Sequence, residues 1–300
     1  MTSAIFKHID TSSYSGKPWS KVDGPGMAFV QKDHSRPVTN IRGHENEYTT
    51  DNSGFAVYHA PAQEKSFTDD KAIRNGYYQE VEDVLRQHLH GIKKVVIFDH
   101  TIRRRDETSP RQPVQQVHVD QTPNAAAVRV RRHLPADEAE ELLKGRYQII
   151  NVWRPIENPA SDFPLAVVDW RSTRPEDFIP VDLMYPKRPD SALAGEDDKD
   201  DRGKERLPDE TTLQSLENYE VRGETLAVAP NEDHKFCYVK DMTPNEVMLL
   251  KCFDSYGEGM PQGRPGLALR TPHTAFMDPS TPKDTPGRQS IEVRCLIFYE

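Results

Sequence analysis

Long apolar runs are what this chain of 300 residues lacks first. No stretch approaches the roughly 18 residues needed to span a bilayer, and the opening MTSAIFKHIDTSS has no apolar core of a secretory signal. The expectation is a soluble, cytoplasmic protein with no membrane partner. Cysteine is scarce as well: Cys237, Cys252 and Cys295 are odd in number and show no CxxC spacing. That argues against a disulfide frame or a zinc site and for buried thiols in a reducing compartment. Net basic charge is also missing, for the formal charge is −9. Neutralising phosphates needs a basic surface, so no nucleic-acid partner is expected. The runs RRR at 103–105 and VRVRRH at 128–133 lie near acidic residues and read as solvated faces.

What the chain has in quantity is proline, 24 residues, against an apolar share of 35%. Long loops around a moderate core follow from that balance. Residues 1–68, rich in Ser, Pro, Gly and Asp, read as an extended N-terminal arm packed on the core, and 69–300 as a single domain. Apolar residues at spacings of three and four predict a helix from about Asp69 to His90, with Gly91 as terminator. KKVVIFDHTIRR then predicts a strand, PVQQVHVDQT another, and Thr122-Pro123 a capped helix start. A short helix between Pro135 and Gly145 precedes strands in RYQIINVWRPI and FPLAVVDW. After an acidic insertion at about 189–210, strands resume in ETLAVAP, HKFCYVKDM, VMLLKCFDS, LALRTPHTAF and QSIEVRCLIFY. Many short strands without a βαβ rhythm predict a mainly β protein with helical buttresses around a double-stranded β-helix, or jelly-roll, core. A doubly wound parallel sheet is the weaker alternative.

In a strand the side-chain period is two, so His118 and Asp120 of QVHVDQT face one side, together with Gln116. Two histidines and one carboxylate make the facial triad of non-haem iron(II), which leaves three positions open. His100, His133, His234 and His273, together with the more N-terminal histidines, are candidates by type for the third ligand, and the late strand carrying His273 suits the closure of a double-sheet barrel. A 2-oxoglutarate co-substrate would need an arginine, able to bond both oxygens of its far carboxylate, plus a hydroxyl. Arg288, Ser290, Glu292 and Arg294 alternate onto one face of the last strand, and Arg288 with Ser290 offers that pair.

The phrases PVQQVHVDQT, RYQIINVWRPI, FPLAVVDWRS, HKFCYVKDM, VMLLKCFDS, HTAFMDP and QSIEVRCLIFY resemble the fungal hydroxylase/desaturase family of secondary metabolism. That family is related to gibberellin desaturases and cephem 7α-methoxylase subunits. The resemblance runs from about residue 95 to the C-terminus and implies an iron(II)/2-oxoglutarate-dependent dioxygenase using Fe(II), 2-oxoglutarate and O2 on a small-molecule substrate. It implies metal binding by His118, Asp120 and His273, and a carboxylate clamp of Arg288 and Ser290, with Arg294 ranked second. Asn151, Trp153, Arg154 and Lys251 are pocket or scaffold candidates, with Asn151 and Trp153 on one strand face and Arg154 on the other. Lys251 either pairs with a co-substrate or substrate carboxylate or snorkels to the surface. The rival readings are a cupin-like metalloenzyme independent of 2-oxoglutarate and a non-catalytic subunit of a two-component oxygenase. A homodimer would suit the extended arm.

Overall fold

The computed structural model describes residues 2–22, 24, 26–105, 112–187 and 213–300; the acidic insertion expected at 189–210 lies outside them. The first segment supplies β1 (Thr2–Ile9), β2 (Trp19–Lys21), β3 (Gln31–Asn40) and β4 (Phe55–His59). A helical stretch follows as α1 (Asp70–Ala72), a π-helical turn (Ile73–Tyr77) and α2 (Tyr78–His88). Next come β5 (Ile92–Arg104), β6 (His118–Val119), α3 (Pro123–His133), α4 (Ala136–Leu142), β7 (Tyr147–Pro155), β8 (Leu165–Val168) and β9 (Phe178–Pro186). The chain closes with β10 (Tyr219–Val228), β11 (Phe236–Tyr238), β12 (Glu246–Asp254), β13 (His273–Ala275) and β14 (Gln289–Tyr299).

Among the described residues these strands form two sheets, in the orders β1-β3-β11-β8-β13-β6-β10-β9-β2 and β4-β12-β7-β14-β5. Pairing is antiparallel except for β11 with β3 and β2 with β9, so the doubly wound parallel alternative is discarded. The mainly β, double-sheet architecture is the jelly-roll core that the strand pattern predicts.

Period-two alternation decides which groups meet between the sheets. On β14, Ile291, Val293 and Cys295 turn outward and pack with Ile73, Tyr77, Val81 and Leu85 of the helical stretch. Burial of each such aliphatic side chain contributes about 1.5–3 kcal/mol, so this helix holds the smaller sheet by its outer face. Ser290, Glu292 and Arg294 are thereby left facing inward, toward β6 and β13. The start of α3 follows local rules: the Thr122 side chain accepts a hydrogen bond from the Ala125 N–H at 3.0 Å, and Pro123 occupies the first turn.

Two predicted strands are shorter than expected. PVQQVHVDQT pairs regularly only at His118 and Val119, and LALRTPHTAF only at His273 to Ala275. The regular ladder of β10 matches β6 at only two positions, Leu226 with Val119 and Ala227 with His118, while β13 meets it only at His273 with His118. Strand length here is set by neighbours, not by intrinsic propensity.

Candidate metal and co-substrate site

The β6 and β13 register places His118 directly opposite His273, with ring centroids 4.5 Å apart. Asp120, just past β6, brings Oδ1 to 3.5 Å from His118 Nε2 and 3.8 Å from His273 Nε2. Ligand atoms of the three side chains all lie within 4.8 Å of one another, the only such group of His, Cys, Asp and Glu among the described residues. His118 Nδ1 lies 2.8 Å from the Gln116 carbonyl and His273 Nδ1 lies 3.1 Å from the Thr271 carbonyl. A carbonyl only accepts, so each Nδ1 carries a proton and each imidazole turns Nε2 toward Asp120. This is the outer-shell pattern that prepares a histidine for a metal. Asn151 Nδ2 donates to Asp120 Oδ2 at 2.8 Å, which occupies one carboxylate oxygen and leaves Oδ1 facing the imidazoles.

Electrostatics make Asp120 the ionised group of the triad. Burial works against ionised Asp120, yet His118 and His273 hold its carboxyl well below the usual range. Burial, and then the charge of His118, push His273 down to about 4. In His118 burial opposes protonation, but Asp120 outweighs it and raises the imidazole. A divalent cation held at Nε2, Nε2 and Oδ1 would take over the role that protons play here, and the donor set suits iron(II).

The other sequence candidates separate cleanly. His100 meets the Tyr78 hydroxyl at 2.8 Å, His133 stacks on Phe98, and His234 lies 2.9 Å from Asp177, so of the four candidate third ligands only His273 reaches the triad. The Gln116 side chain accepts from Gln31 Nε2 at 2.7 Å and does not line the cavity beside the triad. Trp153 does line it, and Arg154 points the other way, to the Tyr77 hydroxyl at 3.0 Å and the Pro244 carbonyl at 2.7 Å. Lys251 neither snorkels nor faces the cavity: it is wholly buried and bound to Asp254 at 2.9 Å and Asp51 at 3.1 Å.

Arg288 and Ser290, each 2% exposed, line the same cavity as the triad. Arg288 Nη1 donates to the Phe163 carbonyl at 2.7 Å, its guanidinium lies 5.7 Å from the Trp153 ring, and its buried Nε has no partner. Arg294 also reaches the cavity but is engaged, with Nε donating to Asp99 at 2.6 Å and Nη2 to Thr101 at 3.2 Å.

Among the lining residues absent from the sequence-level candidates, Thr101, Arg103 and Glu292 come from the inner faces of β5 and β14. The RRR run was expected to be a solvated face; in fact Arg103 turns into the cavity, because β5 alternates and Asp99, Thr101 and Arg103 share its inner side. Burial and the nearby Asp120 push Glu292 up to about 7. Period two on β14 already grouped Glu292 with Ser290 and Arg294, and that was the available signal.

A family profile described as an oxidoreductase/YMDC permease-like domain matches residues 6–202 and 204–298. No helix among the described residues is long and apolar enough to cross a membrane. The hydroxylase/desaturase efuI of Hormonema carpetanum is 31% identical over 281 residues, covering 88% of this chain and 83% of that protein. The chain belongs to the fungal hydroxylase/desaturase family. A second member, CTB9 of Cercospora beticola, is 33% identical over 284 residues, covering 88% of this chain and 76% of that one. The Fe(II)/2-oxoglutarate-dependent dioxygenase nvfI of Aspergillus novofumigatus is 32% identical over 239 residues, covering 78% and 71%. A solved structure of the iron and alpha-ketoglutarate-dependent endoperoxidase NvfI superposes with a TM-score of 0.73 at 25% identity, over 99% of this chain and 97% of that one. Hydroxylase/desaturase family membership and the His118, Asp120 and His273 geometry thus point to one chemistry by independent routes.

Proposed function

We propose that this chain is an iron(II)/2-oxoglutarate-dependent oxygenase acting at a C–H bond of a small secondary metabolite. His118, Asp120 and His273 hold the iron, and Arg288 with Ser290 anchors the far carboxylate of 2-oxoglutarate. The observation that carries the reading is the pair of imidazoles whose Nδ1 protons are committed to carbonyls, so that both Nε2 atoms converge on Asp120 Oδ1. Bound iron, with 2-oxoglutarate and O2, supplies the oxidising power that removes hydrogen from the substrate, and the co-substrate leaves as succinate and carbon dioxide.

The chain's own contribution is position and shielding. Asn151 keeps one Asp120 oxygen occupied and so fixes which oxygen faces the metal. Arg288 is desolvated, and burial, with the charge of Arg103 next, lowers its pKa to about 9. A guanidinium so placed is short of anionic company, and a carboxylate with a serine hydroxyl beside it restores the balance. A substrate hydroxylated, desaturated, cyclised or peroxidised would need its reacting carbon over the open metal face.

The test is spectroscopic. Anaerobic protein with iron(II) and 2-oxoglutarate is expected to show a weak metal-to-ligand charge-transfer band in the visible, absent in His118→Ala. A band of equal strength in His118→Ala, or none in the unmodified chain, contradicts the assignment. A band present with other 2-oxo acids but not 2-oxoglutarate would favour a different co-substrate.

A further inference from the structure

We propose that Arg270 anchors a carboxylate carried by the substrate, at a site separate from the clamp for 2-oxoglutarate; that the occupant is the substrate rests on the function proposed above. Among the described arginines Arg270 alone is buried, at 9% exposed, and makes neither a hydrogen bond nor an ion pair with the protein. Its Nε is enclosed without a partner. Burial is the one cause that lowers its pKa, to about 10, and no neighbouring charge offsets it. The group that meets the guanidinium is the Phe178 ring, whose centre lies 4.7 Å away. A ring covers one face of a planar guanidinium and leaves the N–H edge free, and a carboxylate matches that edge with two oxygens.

The acids on adjoining segments are engaged elsewhere. Asp177, beside Phe178 in the chain, meets His234 at 2.9 Å, Asp169 meets Arg171 at 2.6 Å, and Asp51 and Asp254 serve Lys251 and Arg146. A buried charge without its counterpart is strongly destabilising, which favours a partner that arrives with a ligand. Position ties the site to the triad. Arg270 lies three residues before His273, so their Cα atoms are at most about 11 Å apart. Thr271 between them is fully buried, donates its N–H to the Lys251 carbonyl at 2.6 Å, and accepts from His273 Nδ1 on its own carbonyl at 3.1 Å. The segment that orients a metal ligand thus also places the guanidinium. Arg270 is not among the residues that line the cavity of Arg288 and Ser290, so the two arginines serve different anions. Its surroundings are apolar: Phe178 and Trp170 pack against the cluster that holds Leu269, Val119 and Leu226. An organic acid with an apolar body suits such a place better than an inorganic anion does.

The first measurement needs neither iron nor 2-oxoglutarate. Thermal unfolding of the full chain is followed with benzoate, with benzamide as its uncharged counterpart, and with inorganic phosphate. Benzoate at ten times its dissociation constant should raise the midpoint of the unmodified chain by about 2 °C. Benzamide and phosphate should raise it by much less, and Arg270→Met should abolish the benzoate increment. Without any anion Arg270→Met should unfold no earlier than the unmodified chain, because methionine fills the space with no unpaired charge. Arg270→Lys, which keeps the charge but not the two-pronged edge, should retain a reduced increment. The second measurement adds iron(II), 2-oxoglutarate and O2. Aryl and alkyl carboxylic acids should raise succinate release more than their amides do in the unmodified chain but not in Arg270→Met, while the anaerobic charge-transfer band is present in both. No benzoate increment in the unmodified chain, one retained in Arg270→Met, an equal one from phosphate, or an earlier unfolding of Arg270→Met without anion overturns the proposal. Loss of the band in Arg270→Met, or amides as effective as acids, does so as well. No band in the unmodified chain, with the benzoate increment still dependent on Arg270, removes the functional reading and the assignment of the carboxylate to the substrate, whereas a normal band without that increment removes the inference alone.

Discussion

Two buried polar clusters in this molecule are built to opposite ends. Around Lys251 every valence is used: its three ammonium protons meet Asp254 at 2.9 Å, Asp51 at 3.1 Å and the Ala268 carbonyl at 3.0 Å. Asp254 takes further bonds from Arg146 Nη2 and Gln148 Nε2, each at 2.7 Å, and from the Tyr256 N–H at 3.0 Å. Around His118 the groups are held just as firmly from behind, yet polar atoms stay open: Asn151 Oδ1 and Arg288 Nε are buried without partners, and two imidazole Nε2 atoms converge on Asp120. A saturated cluster holds the fold, and an unsaturated one waits for a ligand. The cost of an unpaired buried polar group is about 1–3 kcal/mol, large enough that such atoms need a reason.

Substitutions sharpen that contrast. The largest effect is expected from Asp120→Ala, which removes a ligand from the open cluster: succinate formation should fall to background while the circular dichroism spectrum of the fold is retained. Lys251→Met in the closed cluster should do the reverse. It leaves Asp254 buried with one cation fewer and should cost about 3–5 kcal/mol in urea unfolding, with iron affinity intact in the folded fraction.

These two predictions also mark what the sequence made legible. His118, Asp120, His273, Arg288 and Ser290 were readable because strand period and residue chemistry are local, and so was the α3 start at Thr122-Pro123. Lys251 was not, because its partners Asp51 and Asp254 and their neighbour Arg146 converge only in the folded sheet. The same holds for Arg103, whose inward direction depends on pairing with Ser290 across β5 and β14. The helix from about Asp69 to His90 was legible from its apolar spacing, but the π-helical turn at Ile73–Tyr77 within it was not, since its sequence IRNGY carries no distinct signal.

Acid separates the clusters next. Burial disfavours the Asp254 carboxylate, but Lys251 and Arg146 outweigh it and bring its pKa down from 3.8 to about 2. A carboxyl depressed in the folded state adds stability that is complete above its unfolded pKa and disappears as pH falls from about 4 toward 2. The contribution is about 2 kcal/mol, so Asp254→Asn should flatten that limb of the stability profile, measured by urea midpoints across the acid range. The smallest change is expected from Asn151→Ala, which removes the donor behind Asp120: iron affinity should fall about tenfold, read by competition with a chelator, with little change in unfolding midpoint.

The central claim is that the open atoms around His118 and Arg288 are ligand positions, and one thermal unfolding series tests it directly. Measured anaerobically, iron(II) with 2-oxoglutarate should raise the midpoint of the unmodified chain, because a ligand bound only by the folded state stabilises it. The increment should shrink in Arg288→Gln and vanish in His118→Ala, while it persists in Asp254→Asn. An increment of the same size in His118→Ala as in the unmodified chain would contradict the account.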